Sequence, residues 1–307
     1  MPTPALSFPP PAHEQPLPAP LPGPGGTRLL LGVAYAAIPG IRPLELDLHL
    51  PAGDGPHPVA VFLHGGGWRV GSRHSAGPMY RGVSPTPFER MAQAGIAVAG
   101  VDYRLSGEAT FPAQLHDAKA AVRWLRARAG ELGIDPERIA AWGESAGGHL
   151  AELLGLVTDP GLEGDVGIPG PSSAVSAVVA WYAPSDVAAV AGDLGADPSD
   201  PTTREALLLG APAVDVPELA AQASPISHVA AGAPPFLLLH GADDTLIPRA
   251  QSERFHAALV AAGVDADLEL FEGANHMWQG SPQAADQALD RTIDELRRRI
   301  GARSEQS

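Results

Sequence analysis

The sequence contains no cysteine among its 307 residues. Disulfide bonds, thiolate metal sites and a cysteine nucleophile are therefore all excluded. It also lacks any apolar run of about 18 residues, so no segment is expected to span a membrane. Basic residues are few, because 20 lysines and arginines stand against 35 aspartates and glutamates. The resulting net charge of −15 disfavours nucleic acids and anionic membrane surfaces as partners.

The N-terminal segment carries no basic stretch followed by an apolar core, so it does not read as a signal peptide. A cytoplasmic location is therefore the expectation. Ten of the first 24 residues are proline, which lacks a backbone N–H and fixes φ. Residues 1–26 are accordingly predicted to form a disordered or polyproline-type tail. A second, short polar tail is expected at residues 303–307.

Strand-like and helix-like segments alternate along the rest of the chain. Residues 44–50 alternate strictly between apolar and polar, which is typical of a half-buried strand and favours an antiparallel start to the sheet. Residues 59–63 are continuously apolar, as in a strand covered on both faces. Eight such strands with intervening helices predict one α/β domain, residues 27–302, built on a mostly parallel sheet. Residues 183–232 are irregular and are predicted to form either a small lid or an inert excursion.

The most informative stretch is Gly143-Glu144-Ser145-Ala146-Gly147, with β-forming residues before it and helix-forming residues after it. It matches G-x-S-x-G, the pattern of a nucleophile elbow, in which a serine occupies a sharp strand-to-helix turn. The serine hydroxyl then projects at the carboxyl edge of the sheet. The first N–H groups of the following helix face any negative charge that develops there. The pattern therefore predicts a serine nucleophile.

Other predicted strands also end in chemically useful groups. Residues 59–63 lead into Gly65–Gly67, where the missing side chains let the backbone approach a ligand closely. Asp243 and Asp244 follow a later strand, and His276 follows the last one. Ligands bind outside the carboxyl ends of strands in an open α/β sheet. A serine needs a base to accept its proton, and the base needs a carboxylate to orient it, so these groups complete a reactive set.

The motifs at these strand ends resemble those of one family. They are His64-Gly65-Gly66-Gly67-Trp68, Asp102-Tyr103-Arg104, the elbow with Gly148, residues 240–248 and Asn275-His276. In this order the chain resembles an α/β-hydrolase of the esterase/lipase type, which includes hormone-sensitive-lipase-like enzymes and bacterial acetyl or feruloyl esterases. The resemblance implies an α/β-hydrolase fold: a three-layer αβα sandwich with a mostly parallel eight-stranded sheet and a small lid or none. It implies no metal and no organic cofactor.

The resemblance also assigns roles to residues. It favours Asp244 over Asp243 as the acid, because Pro248 completes the family pattern around Asp244. The implied residues are the catalytic Ser145, Asp244 and His276, with the backbone N–H groups of Gly66, Gly67 and Ala146 as the oxyanion hole. Trp68, His74 and Trp278 are candidates for substrate contact. Glu144 is not expected to act directly, and Asp102 and Arg104 are expected to support the glycine loop.

The expected activity is hydrolysis of short-chain acyl or aromatic, feruloyl-type, esters through an acyl-serine intermediate. A small-molecule ester is the expected partner. The proline-rich start leaves no N-terminal helical cap, which favours an open pocket for short acyl groups. An amidase or arylformamidase-like hydrolase is the alternative, because arylformamidases share the H-G-G-x-W loop. A non-catalytic binding protein of the same fold is a third interpretation, disfavoured because every reactive residue is present.

Overall fold

The computed structural model describes residues 11–301 and arranges nine strands in one sheet. The strands are β1 (Leu21–Pro22), β2 (Arg28–Ala36), β3 (Leu44–Leu50), β4 (His57–Leu63), β5 (Ala97–Val101), β6 (Ile134–Glu144), β7 (Val178–Trp181), β8 (Phe236–Gly241) and β9 (Ala266–Phe271). Their order across the sheet is β1-β2-β3-β5-β4-β6-β7-β8-β9. The pairs that join β1, β2, β3 and β5 are antiparallel, and the others are parallel. The mostly parallel sheet with an antiparallel start is thus confirmed. The described residues form nine strands instead of the predicted eight, because the short β1 lies in the proline-rich start, which has no strand periodicity.

Helices cover both faces of the sheet. They are α1 (Pro87–Gln93), α2 (Ala113–Ala127), α3 (Ala129–Leu132), α4 (Ala146–Leu156), α5 (Val190–Asp193), α6 (Arg204–Leu209), α7 (Pro217–Gln222), α8 (Ala250–Ala261) and α9 (Pro282–Ile300). Alternate residues of β4 point to opposite faces: Val59 and Val61 pack with α2, α4 and α8, whereas Ala60 and Phe62 pack with α1 and α9. Two apolar cores result, one on each side of the sheet. This is the three-layer αβα arrangement.

The proline-rich start is more ordered than predicted. In β1, Leu21 pairs with Leu29 of β2, and the carbonyl of His13 accepts a hydrogen bond of 2.9 Å from Trp124 Nε1. The prediction of a disordered tail is therefore wrong for residues 11–26. Proline cannot donate a hydrogen bond, but it fits an edge strand, and nearby carbonyls still accept. Residues 1–10 and 303–307 of the two predicted tails lie outside the described residues.

Residues 183–232 contain α5, α6 and α7, which are four, six and six residues long. The N–H of Phe111 donates to the carbonyl of Leu208, which fixes α6 beside the start of α2. The N–H of Ser185 donates to Gln251 Oε1 at 3.0 Å, which ties the segment to α8. Within residues 11–301, no helix has both the length and the apolarity that crossing a bilayer requires.

Candidate active site

Ser145 occupies the turn between β6 and α4 with φ 51° and ψ −120°. A positive φ is strained for a residue with a side chain and persists only where the surrounding packing enforces it. A Cβ on Gly143 would collide with the carbonyl of Gly147, and one on Gly147 would collide with the carbonyl of Leu63. The two glycines therefore allow strand, turn and helix to pack this closely. The result is the predicted elbow geometry.

A hydrogen-bonded chain links three of the predicted residues. Ser145 Oγ lies 3.0 Å from His276 Nε2, and His276 Nδ1 lies 2.7 Å from Asp244 Oδ2. With a proton on Nδ1, the imidazole donates to the carboxylate and accepts from the serine hydroxyl. All three residues are buried. These three residues follow the carboxyl ends of β6, β8 and β9, which lie at the same edge of the parallel sheet.

The surroundings of Asp244 keep it charged. Burial alone would raise the pKa of this carboxyl, but hydrogen bonds from His240 and His276 and from the N–H of Ile247 hold it well below its usual value. Oδ1 also accepts from the N–H of Leu246 at 2.9 Å. Asp243, by contrast, is exposed, and in the described part of the chain its carboxylate makes no hydrogen bond to the histidine. The geometry therefore favours Asp244 as the acid.

Backbone donors without acceptors in the described chain occur directly after the serine and in the glycine loop. The N–H groups of Gly66, Gly67 and Ala146 have no hydrogen-bond acceptor among residues 11–301. Ala146 is the first residue of α4, so its N–H has no partner within the helix. The glycines have φ of 119° and 61°, which a side chain would disfavour. These donors are of the kind that stabilises a developing oxyanion.

Glu144 supports the glycine loop through a hydrogen bond to its backbone. Its Oε1 accepts from the N–H of Gly65 at 3.3 Å, and its Oε2 accepts from the hydroxyl of Tyr182 at 2.7 Å. Burial raises the pKa of this carboxyl. It makes no hydrogen bond to Ser145, His276 or Asp244 among the described residues. Tyr182 also lies edge-on to the His276 ring at 4.8 Å, a contact for which the sequence carries no signal.

A second support lies just after the glycine loop. The N–H of Arg73 donates to Asp102 Oδ1 at 2.8 Å, and its guanidinium contacts Asp47 and Asp102. Burial would raise the pKa of Asp47, but hydrogen bonds from Gly32 and Arg73 lower it. Asp102 thus anchors the chain that leaves the loop. Arg104 instead pairs with Asp117 of α2, away from the loop.

The structure corrects two of the three substrate-contact predictions. Trp68 is 1% exposed and Trp278 is 0% exposed, so neither ring is open to a substrate. Trp68 donates through Nε1 to Nδ1 of His149 at 3.2 Å, and Trp278 packs edge-on against Tyr182. A position near a strand end did not predict substrate contact for these tryptophans, because burying a large aromatic ring in the protein stabilises the fold more than leaving it exposed in a pocket. The third candidate, His74, is exposed, and its Nδ1 is hydrogen-bonded to Asp47 Oδ2 at 2.8 Å. Its contact with a substrate stays a prediction.

Other possible ligand sites are sparse. Within residues 11–301, no three His, Asp or Glu side chains are grouped so that they could hold a metal ion. A surface cleft of about 710 Å³ lies between residues 169–175 and 228–234. These residues precede β7 and β8, so the cleft opens at the amino ends of the strands. Ser145 lies at the opposite, carboxyl ends. It takes no part in the site.

Comparison with known proteins gives relatives that are esterases by name. The chain is 36% identical to esterase LipQ of Mycobacterium tuberculosis over 208 residues, which are 67% of this chain and 46% of that protein. It is 35% identical to esterase LipC of the same organism over 230 residues, 72% of this chain and 53% of that protein. The chain thus spans about half the length of the curated relatives it matches.

Solved structures match over most of their length. A truncated carbohydrate esterase from gut microbiota superposes with a TM-score of 0.78 and 28% identity, covering 92% of this chain and 99% of that one. A thermophilic esterase from Thermogutta terrifontis, Est2, gives a TM-score of 0.73 and 28% identity, covering 92% and 96%. Both are similar to this chain in sequence as well as in fold.

The sheet order, the elbow and these structures define the fold as that of an α/β-hydrolase of the esterase/lipase type. More narrowly, the chain belongs to the BD-FAE family, whose model matches residues 46–259. The matched segment contains the glycine loop, Ser145 and Asp244. It ends before His276, which the geometry places at the site independently of the match.

Proposed function

We propose that this protein is a serine carboxylic ester hydrolase. The observation that carries the proposal is the series of hydrogen bonds from Ser145 Oγ through His276 to Asp244. Three backbone N–H groups that have no acceptor among residues 11–301 support it. A nucleophile, its base, an orienting acid and oxyanion donors are the complete requirement for acyl transfer. The relatives named as esterases support the same activity.

In the first half of the proposed reaction, Ser145 Oγ attacks the ester carbonyl carbon while His276 Nε2 takes the hydroxyl proton. The carbonyl oxygen becomes negative and lies against the N–H groups of Gly66, Gly67 and Ala146. The tetrahedral intermediate collapses as the bond to the alcohol oxygen breaks. The leaving alkoxide takes the proton from His276, which leaves an acyl-serine ester.

The second half repeats these steps with water. His276 removes a proton from a water molecule, whose oxygen attacks the acyl carbon and produces a second oxyanion. The bond to Ser145 Oγ then breaks, and the serine recovers its proton from His276. A carboxylic acid leaves, and the enzyme returns to its starting state. Asp244 stays ionised throughout and stabilises the imidazolium in both halves.

For the acyl group we infer short-chain or aromatic, feruloyl-type, esters. The helices of the 183–232 segment are at most six residues long and supply no extended apolar lid for a long acyl chain. With Trp68 and Trp278 buried, the aromatic preference rests on the family resemblance rather than on a stacking surface. An amidase or arylformamidase-like activity is the alternative, because an activated amide passes through the same intermediate.

The test is a turnover panel of 4-nitrophenyl esters of increasing acyl length, with methyl ferulate, an acetylated sugar and N-formylkynurenine. We expect the highest kcat/KM at two to four acyl carbons, by roughly tenfold over long chains, because a site shaped for a short acyl group cannot admit further methylenes without steric conflict. Ser145→Ala should reduce turnover by several orders of magnitude, as in other triads. Preferential turnover of N-formylkynurenine would instead establish the amidase alternative. Near wild-type turnover by Ser145→Ala would overturn the proposal.

A further inference from the structure

One arginine beside the glycine loop has a side chain that makes no hydrogen bond and no ion pair with the described residues. Arg204 begins α6, and its stem lies against Gly67: a Cβ placed on Gly67 would be 2.5 Å from Arg204 Cδ and 3.1 Å from Cγ. The residue is only partly exposed. Within residues 11–301 its guanidinium nevertheless makes no hydrogen bond and no ion pair, not even with the adjacent Glu205.

Most arginines in the described chain are used differently. Arg73, Arg104 and Arg123, which are also largely screened from solvent, each contact a carboxylate. Acidic partners are plentiful, since 35 aspartates and glutamates outnumber 20 lysines and arginines. Burial raises the pKa of the adjacent Glu205 and the charge of Arg204 opposes that rise, but no carboxylate of the described residues lies at ion-pair distance from the guanidinium. The lost hydration of Arg204 is therefore only partly compensated. The guanidinium donors are thus available to a ligand.

A second arginine borders the same loop. Arg69 follows Trp68, and its N–H donates to the carbonyl of Gly66 at 3.1 Å. Its side chain is exposed and likewise has no hydrogen-bond or ion-pair partner in the described part of the chain. Among residues 11–301, two arginines whose side chains have no hydrogen-bond or ion-pair partner therefore border the glycine loop, Arg204 through its stem and Arg69 through its backbone.

We propose that Arg204, with Arg69, forms a subsite for a free carboxylate of the substrate, so that the enzyme prefers esters that carry one. The planar guanidinium donates two parallel hydrogen bonds to a carboxylate, a geometry that a neutral group does not match. The subsite only binds and orients, and every bond is made and broken at Ser145 as described above. The inference rests on the proposed ester hydrolysis.

The carboxylate can belong to either part of the ester, and two matched substrate pairs separate these cases. For the acyl part, mono-(4-nitrophenyl) succinate is compared with its neutral methyl ester, methyl 4-nitrophenyl succinate. For the alcohol part, 4-acetoxybenzoate is compared with 4-acetoxybenzamide. In each pair the reacting ester is similar and the charge differs. The kcat/KM of the anionic substrate divided by that of its neutral partner measures how strongly the enzyme prefers the carboxylate.

We expect Arg204→Gln to lower that ratio by roughly tenfold or more in one pair, the size expected for a lost charge-assisted hydrogen bond. Arg204→Lys should lower it less, because the charge remains while the fork geometry is lost. Arg297→Gln on α9 removes the same charge far from the glycine loop and should leave the ratio unchanged. The pair that responds identifies which part of the substrate bears the carboxylate.

An unchanged ratio in both pairs for Arg204→Gln would overturn the inference, as would an equal drop caused by Arg297→Gln. Equal losses on anionic and neutral partners would also overturn it, because Arg204 would then be needed for the loop and not for charge. Failure of the wild-type protein to hydrolyse either member of each pair would refute the ester hydrolase proposal itself. The two failures are thus distinguishable.

Discussion

Ser145 has a backbone conformation with φ 51°, which is strained for a residue with a side chain and persists only where the surrounding packing enforces it. The side chains of His276 and Asp244 are held by hydrogen bonds of 3.0 and 2.7 Å rather than by the strained backbone. Sequence motifs predicted all three positions, because a nucleophile elbow and strand-end motifs are local patterns. The role of Tyr182 beside His276 was beyond sequence reasoning, since it depends on a contact across the sheet edge.

The two adjacent aspartates should differ sharply. Asp244→Asn removes the carboxylate that fixes the His276 tautomer, and we expect kcat for 4-nitrophenyl acetate to fall by roughly three to four orders of magnitude. Asp243→Asn is the matched control, because Asp243 is exposed and takes no part in the hydrogen-bonded chain. It should change kcat by less than about twofold. A larger loss at Asp243 than at Asp244 would show that the acid is misassigned.

Among the elements, the glycine loop, α4 and the 183–232 segment meet at one histidine. His149 of α4 accepts from Trp68 at the end of the loop, and its Nε2–H donates to the carbonyl of Ala223 at 2.6 Å. Burial lowers the pKa of His149 to about 4, so the ring is neutral and keeps Nδ1 as an acceptor at working pH. The strand boundaries of β3 were predictable from alternation, but this junction joins residues distant in sequence.

Removing the Trp68 donor should loosen that junction. Trp68→Phe keeps an aromatic ring but leaves Nδ1 of His149 buried without a partner, at a cost of about 1–3 kcal/mol. We expect the thermal midpoint to fall by several degrees and kcat to fall roughly tenfold, because the oxyanion donors are less well positioned. Trp124→Phe is the control. It removes a tryptophan donor to His13, remote from the loop, and should lower stability alone.

An undiminished kcat for Trp68→Phe, measured with the same ester, would mean that the loop is held without His149. Equal losses of kcat in Trp68→Phe and Trp124→Phe would mean that general destabilisation, not loop position, limits turnover. The comparison therefore tests the junction at the level of the elements it joins.

For the whole molecule, composition and periodicity predicted a mostly parallel sheet with helices between its strands. They could not predict the ion pairs between residues distant in sequence. The sheet was predicted with eight strands, and the ninth, β1, lies in a proline-rich stretch without periodicity. Arg73 forms ion pairs with Asp47 and Asp102, which lie 26 and 29 positions away in the sequence. No periodicity or motif in the sequence predicts these pairs. Such contacts become visible only when the fold brings their strands together.

One buried carboxyl should make a large contribution to the pH dependence of global stability. Glu152 of α4 is 0% exposed, and among residues 11–301 the Ser185 hydroxyl lies near it without making a hydrogen bond of good geometry, so it only partly opposes the effect of burial. Burial raises its pKa well above the usual value, so the folded chain keeps a proton that the unfolded chain releases. The free energy of unfolding should therefore fall as pH rises above the normal glutamate pKa, by up to about 1.4 kcal/mol per pH unit.

Glu152→Gln removes this proton and should flatten the decline of stability between pH 5 and pH 8. The measurement is urea unfolding of both proteins at several pH values, with Glu131→Gln, an exposed glutamate, as the control. The variant should gain stability over the wild type as pH rises. A gap that is constant with pH would show that Glu152 does not carry the linkage.

Covalent trapping tests the nucleophile most directly. The protein is treated with diethyl 4-nitrophenyl phosphate, and the modified peptide is identified by mass spectrometry while residual esterase activity is followed. We predict one diethylphosphoryl group on Ser145, loss of activity in proportion to labelling, and no label on Ser145→Ala. Stoichiometric labelling at another residue, or full activity after Ser145 is labelled, would contradict the assignment of Ser145 as the nucleophile.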